Sequence, residues 1–345
     1  MKSLVKFAFA AAFALLAGCV SFPPPPPARQ APEIVDGHLV VRDGAALGLT
    51  VWRARDPRAV IIAVHGMNDY AHAFEGLGEY LSNEAGVSLY AYDQRGFGRS
   101  PDFGHWLGTD AYIADLNDVI AAIRADNKGL PVYVLGHSMG AAVVMAAAAK
   151  GPLDVDGAIL AAPGVWGGSR LPLAYRIALN ISASVLPGKT LTGERAHRQS
   201  TDNILILREM LADPHVIKAT RLDAVLGVVR IMGRAWRVSD AIGGRVLFLY
   251  GDKDEIIPVK AMIETSHRLC GDVELKVYAQ GWHLLFRDLE ARTVWRDVGA
   301  WTLASAGEET AGPNGRFGPA VYACAAAGRD VSATARVATV PGRSG

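Results

Sequence analysis

The sequence predicts an α/β chain with a mostly parallel, doubly wound sheet and a helical cap inserted into it. Three observations predict this. Short, near-continuous apolar runs rich in β-branched residues end abruptly at glycine or a glycine-bearing loop, as strands buried on both faces do. Helical patterns separate most of these runs, and strand–helix alternation builds a parallel sheet. One interval, from Pro163 to Ile242, carries helical pattern and no good strand, the mark of an insertion.

The elements follow in order along the chain. Residues 39–54 are expected to supply antiparallel strands at one sheet edge. Residues 60–64 run into His65-Gly66, with a helix expected over 71–83. Residues 87–92 run into Asp93-Gln94-Arg95-Gly96, with a helix over 110–126. Residues 132–135 run into Gly136, with a helix over 139–150, and residues 158–160 run into Ala161-Ala162-Pro163-Gly164. The insertion, about 165–241, holds helical stretches at 171–186, 203–212 and 215–232. It is expected to cap the C-terminal edge of the sheet, where open α/β sheets bind ligands. Residues 246–250 then run into Gly251, a helix is expected over 259–269, and residues 273–278 lead to Gly281. These elements set the folded domain at 38–305. The tail, 306–345, is rich in Ala, Gly, Arg, Ser and Thr from Gly307 onward without sustained periodicity. It reads as mostly disordered, with residues 317–327 left open.

The whole chain sets further bounds. Its 345 residues are half hydrophobic with a formal net charge of +1, which leaves no electrostatic footprint for nucleic acid. Three cysteines, Cys19, Cys270 and Cys324, make no disulfide framework. Cys270 and Cys324 are expected as unpaired thiols, with pairing in an oxidising compartment as the alternative. Lys2 and Lys6 precede an apolar run over 7–17 that ends Leu16-Ala17-Gly18-Cys19. This has the length of a signal-peptide core and falls short of a spanning helix. It resembles the bacterial lipobox, which makes residues 1–18 a signal peptide and Cys19 the site of lipidation. Acyl chains there would anchor the protein stably in a bilayer. Val20 in place of aspartate then suggests the outer membrane, facing the periplasm, in the cell envelope. Residues 19–37 read as a linker whose five prolines, 23–27, form an extended polyproline II stalk.

The chemistry centres on Gly136-His137-Ser138-Met139-Gly140, set directly between an expected strand and an Ala-rich helix. Such a turn strains the serine and exposes its hydroxyl above the sheet at the positive end of the helix. A serine hydroxyl needs a base to take its proton and an acid to hold that base. On this architecture the chain order is serine, acid, histidine. The loops after the last two expected strands supply Gly251-Asp252-Lys253-Asp254 and Gly281-Trp282-His283. Ser138, Asp254 and His283 meet that order, with Asp252 as second candidate for the acid. His137 is expected to point away from the base, and His65 to be structural. An oxyanion needs two backbone N–H donors. Met139, after the nucleophile, is one, and Met67, in the loop after the first central strand, is the other.

These residues resemble the α/β-hydrolase family of monoacylglycerol lipases and bacterial lysophospholipases, grouped with the proline-type serine aminopeptidases. Five segments carry the resemblance: Val64-His65-Gly66-Met67, the run from Tyr92 to Ser100, the Gly136 elbow, Gly251-Asp252-Lys253-Asp254 and Gly281-Trp282-His283. It spans roughly residues 40–300, with Asp213-Pro214 and Arg221 of the cap also similar. The resemblance implies an α/β-hydrolase fold, places the acid at Asp254, three after the glycine, and implies Met67 and Met139 as oxyanion donors. The lipobox, a methionine where many members carry a small residue at position 67, and the C-terminal extension depart from it. Asp93 and Arg95 are expected to fix loops.

The reading is therefore a serine esterase or lipase that needs no cofactor and no metal. Membrane tethering favours a lipid-like ester, a monoacylglycerol or lysophospholipid. Leu171, Leu173, Ile177, Leu179, Ile181 and Val185 are weighed as cap core or as acyl-site lining, with core favoured. A peptidase or acyltransferase on the same residues, an oxidative role on that triad, and a non-catalytic envelope binding protein stand as alternatives. Oligomeric state is left open.

Overall fold

A computed structural model of the chain describes residues 20–192, 198–306, 317–320 and 335–340. Residues 1–18, expected as a signal peptide, and Cys19 and Cys324 lie outside the described residues. The sheet begins at β1 (Glu33–Val35), β2 (His38–Val40) and β3 (Ala46–Trp52). β4 (Ala59–Val64), helix α1 (Glu75–Tyr80), β5 (Val87–Tyr92), α2 (Thr109–Asp126), β6 (Val132–His137), α3 (Met139–Ala148) and β7 (Gly157–Ala161) follow. The cap contributes α4 (Leu173–Val185), β8 (Thr190–Thr192), α5 (Ile204–Ala212), β9 (Ala219–Arg221) and α6 (Leu222–Val238). The chain returns through β10 (Ile242–Gly251), α7 (Val259–Arg268), β11 (Cys270–Tyr278) and α8 (Ala291–Ala306), and adds β12 (Gly318–Pro319) and β13 (Ala335–Val340).

The main sheet runs β1-β2-β3-β5-β4-β6-β7-β10-β11-β13, with β12 paired antiparallel to β10. From β5 to β13 every neighbour is parallel, and β1 to β3 form the antiparallel edge that joins β5. Every residue of β4, β5, β6 and β7 is buried, which is why their apolar runs do not alternate. β4 lies between β5 and β6. The chain thus leaves β4 to one side and later returns on the other, opening a crevice at the strand ends where α/β sheets bind ligands. α3 is buried on all sides, as an all-apolar helix must be, and its alanines let it lie close under the cap helix α6.

Five sequence expectations are corrected by the structure. β1 falls inside the stretch read as linker, and the polyproline segment does not stand free: the N–H groups of Arg29 and Gln30 donate to the Arg42 carbonyl at 2.6 and 3.0 Å. The insertion does hold strands, since β8 and β9 pair antiparallel. The last cap helix starts at Leu222, because the Asp213 carboxylate accepts the His215 N–H at 2.8 Å and turns the chain into β9. The tail is ordered where it is described. Phe317 is fully buried, its carbonyl accepting from Leu153 N–H at 2.9 Å, and β13 covers the open edge of β11, a protection that parallel edges need. Cys270 is disulfide-bonded, not the free thiol expected.

Candidate active site

β6 ends at His137 and α3 starts at Met139, so Ser138 makes the whole turn, at φ 53° and ψ −115°. A non-glycine residue in that region costs about 1–3 kcal/mol. Three hydrogen bonds hold it there: Ser138 N–H donates to Ala161 O at 3.0 Å, and Ser138 O accepts from Gly164 N–H at 2.8 Å and Ala142 N–H at 3.2 Å. The flanking glycines are forced by close approach. A Cβ on Gly136 would lie 2.5 Å from Ala141 Cα, and one on Gly140 would lie 2.0 Å from the Val64 carbonyl oxygen.

The structure brings Ser138, His283 and Asp254 together from three loops at the C-terminal strand ends. Ser138 Oγ is 2.9 Å from His283 Nε2, and His283 Nδ1 is 2.8 Å from Asp254 Oδ2. The other Asp254 oxygen accepts the N–H groups of Ile256 and Ile257 at 2.7 and 2.9 Å. The Asp254 side chain is fully buried and that of His283 is 7% exposed, so these contacts act in a low-dielectric setting. A carboxylate on Nδ1 fixes the proton there and leaves the Nε2 lone pair facing the serine hydroxyl. Asp252 is exposed and takes no part in this chain of contacts.

The loop beyond β4 passes beside the serine. Val64 pairs with Gly136 across the sheet, and a Cβ on Gly66 would lie 3.3 Å from Ser138 Cβ. Met67 follows in this loop. Met139 opens α3, so its N–H is one of the four that have no acceptor within the helix. His65 holds the loop. Its Nδ1 donates to Gly66 O at 2.8 Å and its Nε2 accepts Gln94 N–H at 2.9 Å. Burial pushes its pKa down, which keeps the ring neutral for that arrangement. Asp93 and Arg95 fix loops: Asp93 accepts from Arg99 Nε at 2.8 Å and Ala71 N–H at 3.0 Å, and Arg95 Nε donates to Asp115 at 2.7 Å.

Two supports were not read from the sequence. His137 does not point away from the base residue: its Nε2 donates to the backbone carbonyl of His283 at 2.9 Å, with the two rings 5.3 Å apart. Burial pushes its pKa down to about 3, so it is a neutral donor. The second is an ion pair between Arg287, four residues after the base, and Asp69, two after Met67. Its partners lie 218 residues apart, so no local pattern announces it. The position of His137 beside the nucleophile was the one available signal for the first.

The cap is tied to the same loop. Asn68 O accepts Ile217 N–H at 2.9 Å, Asn68 Nδ2 donates to Thr220 Oγ1 at 2.7 Å, and Tyr70 Oη donates to Asp213 Oδ2 at 2.7 Å. Of the six apolar residues weighed for the cap, Leu173, Ile177, Ile181 and Val185 are exposed, Leu171 before α4 is half-buried, and Leu179 alone meets the favoured core expectation, packing on the buried cluster of Ala183, Leu222 and Leu226.

A sequence profile of the family described as serine aminopeptidase, S33, matches residues 55–290. A monoacylglycerol lipase of Mycolicibacterium smegmatis is 29% identical over 271 residues, covering 76% of this chain and 94% of the relative. The monoglyceride lipase of Homo sapiens is 27% identical over 273 residues, covering 76% and 89%. Among solved structures, the monoacylglycerol lipase of Paleococcus ferrophilus superposes with a TM-score of 0.64 at 22% identity, over 75% of this chain and 99% of that one. A soluble variant of the Saccharomyces cerevisiae monoglyceride lipase, in complex with a substrate analogue, superposes with a TM-score of 0.63 at 18% identity, over 82% and 96%.

Proposed function

The chain belongs to the serine aminopeptidase S33 family of α/β-hydrolases, and from that premise we propose that it cleaves carboxylic esters of lipid-like substrates, monoacylglycerols or lysophospholipids, through an acyl-enzyme on Ser138. The observation that carries the reading is the unbroken hydrogen-bonded chain Ser138–His283–Asp254 at 2.9 and 2.8 Å, mounted on a strained turn. The lipid-ester class is supported by the monoacylglycerol and monoglyceride lipases among the relatives.

The proposed steps use the Ser138, His283 and Asp254 side chains and two backbone N–H groups beside them. His283 Nε2 takes the Ser138 proton as Oγ attacks the ester carbonyl carbon, and Asp254 stabilises the imidazolium that forms. The carbonyl oxygen becomes an oxyanion that receives the N–H groups of Met67 and Met139. The tetrahedral species collapses, the C–O bond to the alcohol breaks, and His283 returns its proton to the departing alkoxide. Water then gives a proton to His283 and attacks the acyl carbon, releasing the carboxylic acid and restoring Ser138. The chain's own residues complete this cycle.

The lipobox at 16–19 supports a second part of the proposal: lipid anchoring through Cys19 in the bacterial envelope, facing the periplasm. Among the described residues no helix is long and apolar enough to cross a membrane.

Hydrolysis of p-nitrophenyl esters across acyl lengths, wild type beside Ser138→Ala, tests the chemistry. Turnover that falls by several orders of magnitude in Ser138→Ala, with fluorophosphonate labelling of wild type alone, is the expected result. A folded, inert wild type that the probe leaves unlabelled removes the hydrolase reading. Preference for aminoacyl p-nitroanilides over esters replaces it with a peptidase.

A further inference from the structure

Three consecutive residues at the base are held through their main chain. The His283 carbonyl accepts from the His137 ring. After it, the Leu284 N–H donates to Ser200 O at 2.9 Å. Before it, the Trp282 N–H donates to Asp288 Oδ2 at 2.7 Å. Asp288 reaches back to Trp282 because the chain turns after the base: the N–H groups of Arg287 and Asp288 both donate to Leu284 O, at 2.7 and 3.1 Å. His137 is a neutral ring and Ser200 lends a backbone carbonyl, so Asp288 is the one of these three holding groups that carries charge at neutral pH.

That charge sits where a charge is costly. Asp288 is 6% exposed, and its Oδ1 has no hydrogen-bond partner among the described residues. Arg287, next to it in the chain, turns to Asp69 instead. Burial pushes the Asp288 pKa up to about 6, and Asp202 adds to the rise, while Thr201, the Trp282 N–H and the charge of His283 pull it down. The last of these is reciprocal: a carboxylate favoured by an imidazolium favours that imidazolium in turn. The cavity that Asp288 lines also bears His72, Glu75 and Glu79 near α1 and Glu209 and Asp213 near α5. Glu75, Glu79 and Glu209 are exposed and screened by solvent, His72 stands 3.6 Å from Glu75, and Asp213 accepts from Tyr70. A neutral amide would accept the Trp282 N–H without the cost of a buried charge. The charge itself therefore needs a reason, and a base that becomes an imidazolium during the reaction supplies one.

We propose that Asp288 is a positioning residue for the base: its carboxylate fixes Trp282, the residue before His283, and its charge stabilises the imidazolium formed when His283 takes the Ser138 proton. This rests on the hydrolase reading above. Asp254 touches the imidazole ring at Nδ1, whereas Asp288 acts through the main chain and through its field. No proton passes to it, since the proton stays on His283 until the alcohol leaves. A negative charge near the base raises the pKa of that base. Removing the charge therefore weakens the base, which lowers the plateau of the rate and moves its acid limb to lower pH.

Three proteins test this: wild type, Asp288→Asn, which keeps an acceptor for the Trp282 N–H and removes the charge, and Asp288→Leu, which removes both. Turnover of a soluble p-nitrophenyl ester is measured from about pH 5 to about pH 9, with circular dichroism to check folding. Asp288→Asn should lose about tenfold in kcat with KM within about twofold, and its acid limb of kcat/KM should lie about half a pH unit below that of wild type. Asp288→Leu should lose more in kcat than Asp288→Asn. A merely structural acceptor would leave Asp288→Asn with wild-type kcat and an unmoved limb, and that outcome overturns the proposal whether or not Asp288→Leu folds. A limb that moves to higher pH overturns it as well. A folded wild type that neither turns over nor reacts with a fluorophosphonate removes the hydrolase reading and the proposal with it, whereas failure of the proposal alone leaves wild-type turnover and labelling intact.

Discussion

His137 Nε2 lies 2.9 Å from the backbone carbonyl oxygen of His283, so the residue before the nucleophile holds the loop that carries the base. Ser138 and His283 come from strand ends 145 residues apart in sequence. A second bond between the same two loops limits their relative movement. The packing of the His137 ring on Phe286, at 6.0 Å and 70° between planes, fixes the donor's direction.

Replacing His137 with phenylalanine keeps the ring and removes the donor. The His283 carbonyl is then buried without its partner, which costs about 1–3 kcal/mol. The base loop loosens, and a displacement of the order of 1 Å is worth about a hundredfold in rate at the limit. We expect kcat on a soluble ester to fall about tenfold or more with little change in KM. His137→Gln, which retains an N–H, should recover part of the loss. Equal kcat in wild type and His137→Phe would show that the bond does not position the base.

The same residue sets an acid limit on stability. Burial holds the folded-state pKa of His137 at about 3, against about 6.5 for an unfolded histidine. The unfolded chain therefore takes up the proton first. Stability is complete above pH of about 6.5 and is lost as pH falls towards about 3, at about 1.4 kcal/mol per pH unit for this one group. His65, depressed in the same direction by burial, adds to it. Urea midpoints measured from pH 8 to pH 4 should fall in wild type and fall less steeply in His137→Phe. Parallel slopes would locate the acid sensitivity elsewhere.

The turn at Ser138 gives a prediction of opposite sign. At φ 53° and ψ −115° a side chain is strained and glycine is not. Ser138→Gly and Ser138→Ala both abolish the hydroxyl, yet the glycine variant should be the more stable by about 1 kcal/mol. Thermal unfolding of the two variants measures the difference. A less stable glycine variant would mean that the surrounding hydrogen bonds leave no strain to relieve.

Asp254 and Asp252 lie two residues apart on one loop and divide by burial. Asp254 is buried on His283 and on two N–H groups, whereas Asp252 is exposed. Asp254→Asn disturbs the histidine tautomer and should lower kcat by about 10³–10⁴. Asp252→Asn should stay near wild type. A large loss in the second variant and none in the first would reverse the assignment.

What the sequence made legible follows from what local patterns encode. The parallel strands were readable because burial on both faces leaves no alternation, as at residues 60–64 and 132–135. The elbow was readable because contacts at 2.0 and 2.5 Å admit only glycine at Gly140 and Gly136. Strands β8 and β9 were missed because each has three residues and depends on a partner 27 or more residues away. β13 was missed because Ala335–Val340 becomes a strand by filling the open edge of β11, a tertiary demand with no local sign. The α4 stripe was read with the right residues and, Leu179 apart, the wrong destination, since periodicity shows that a face exists and not what covers it.

The Asp69–Arg287 pair was equally hidden and gives the last prediction. Asp69 follows the loop that carries Met67, and Arg287 follows the base His283. Their side chains are 6% and 10% exposed, and Asp69 also accepts the Tyr70 N–H at 3.0 Å. Arg287→Met leaves a buried carboxylate without its cation and should cost about 3–5 kcal/mol, far above the value of a surface pair. The double variant Asp69→Leu with Arg287→Met removes both charges and should recover most of that loss. Urea unfolding of the four proteins in the cycle separates the pair from each residue's own packing. A cost for Arg287→Met below about 1 kcal/mol would mean that water reaches the carboxylate and that the pair does not brace the two loops.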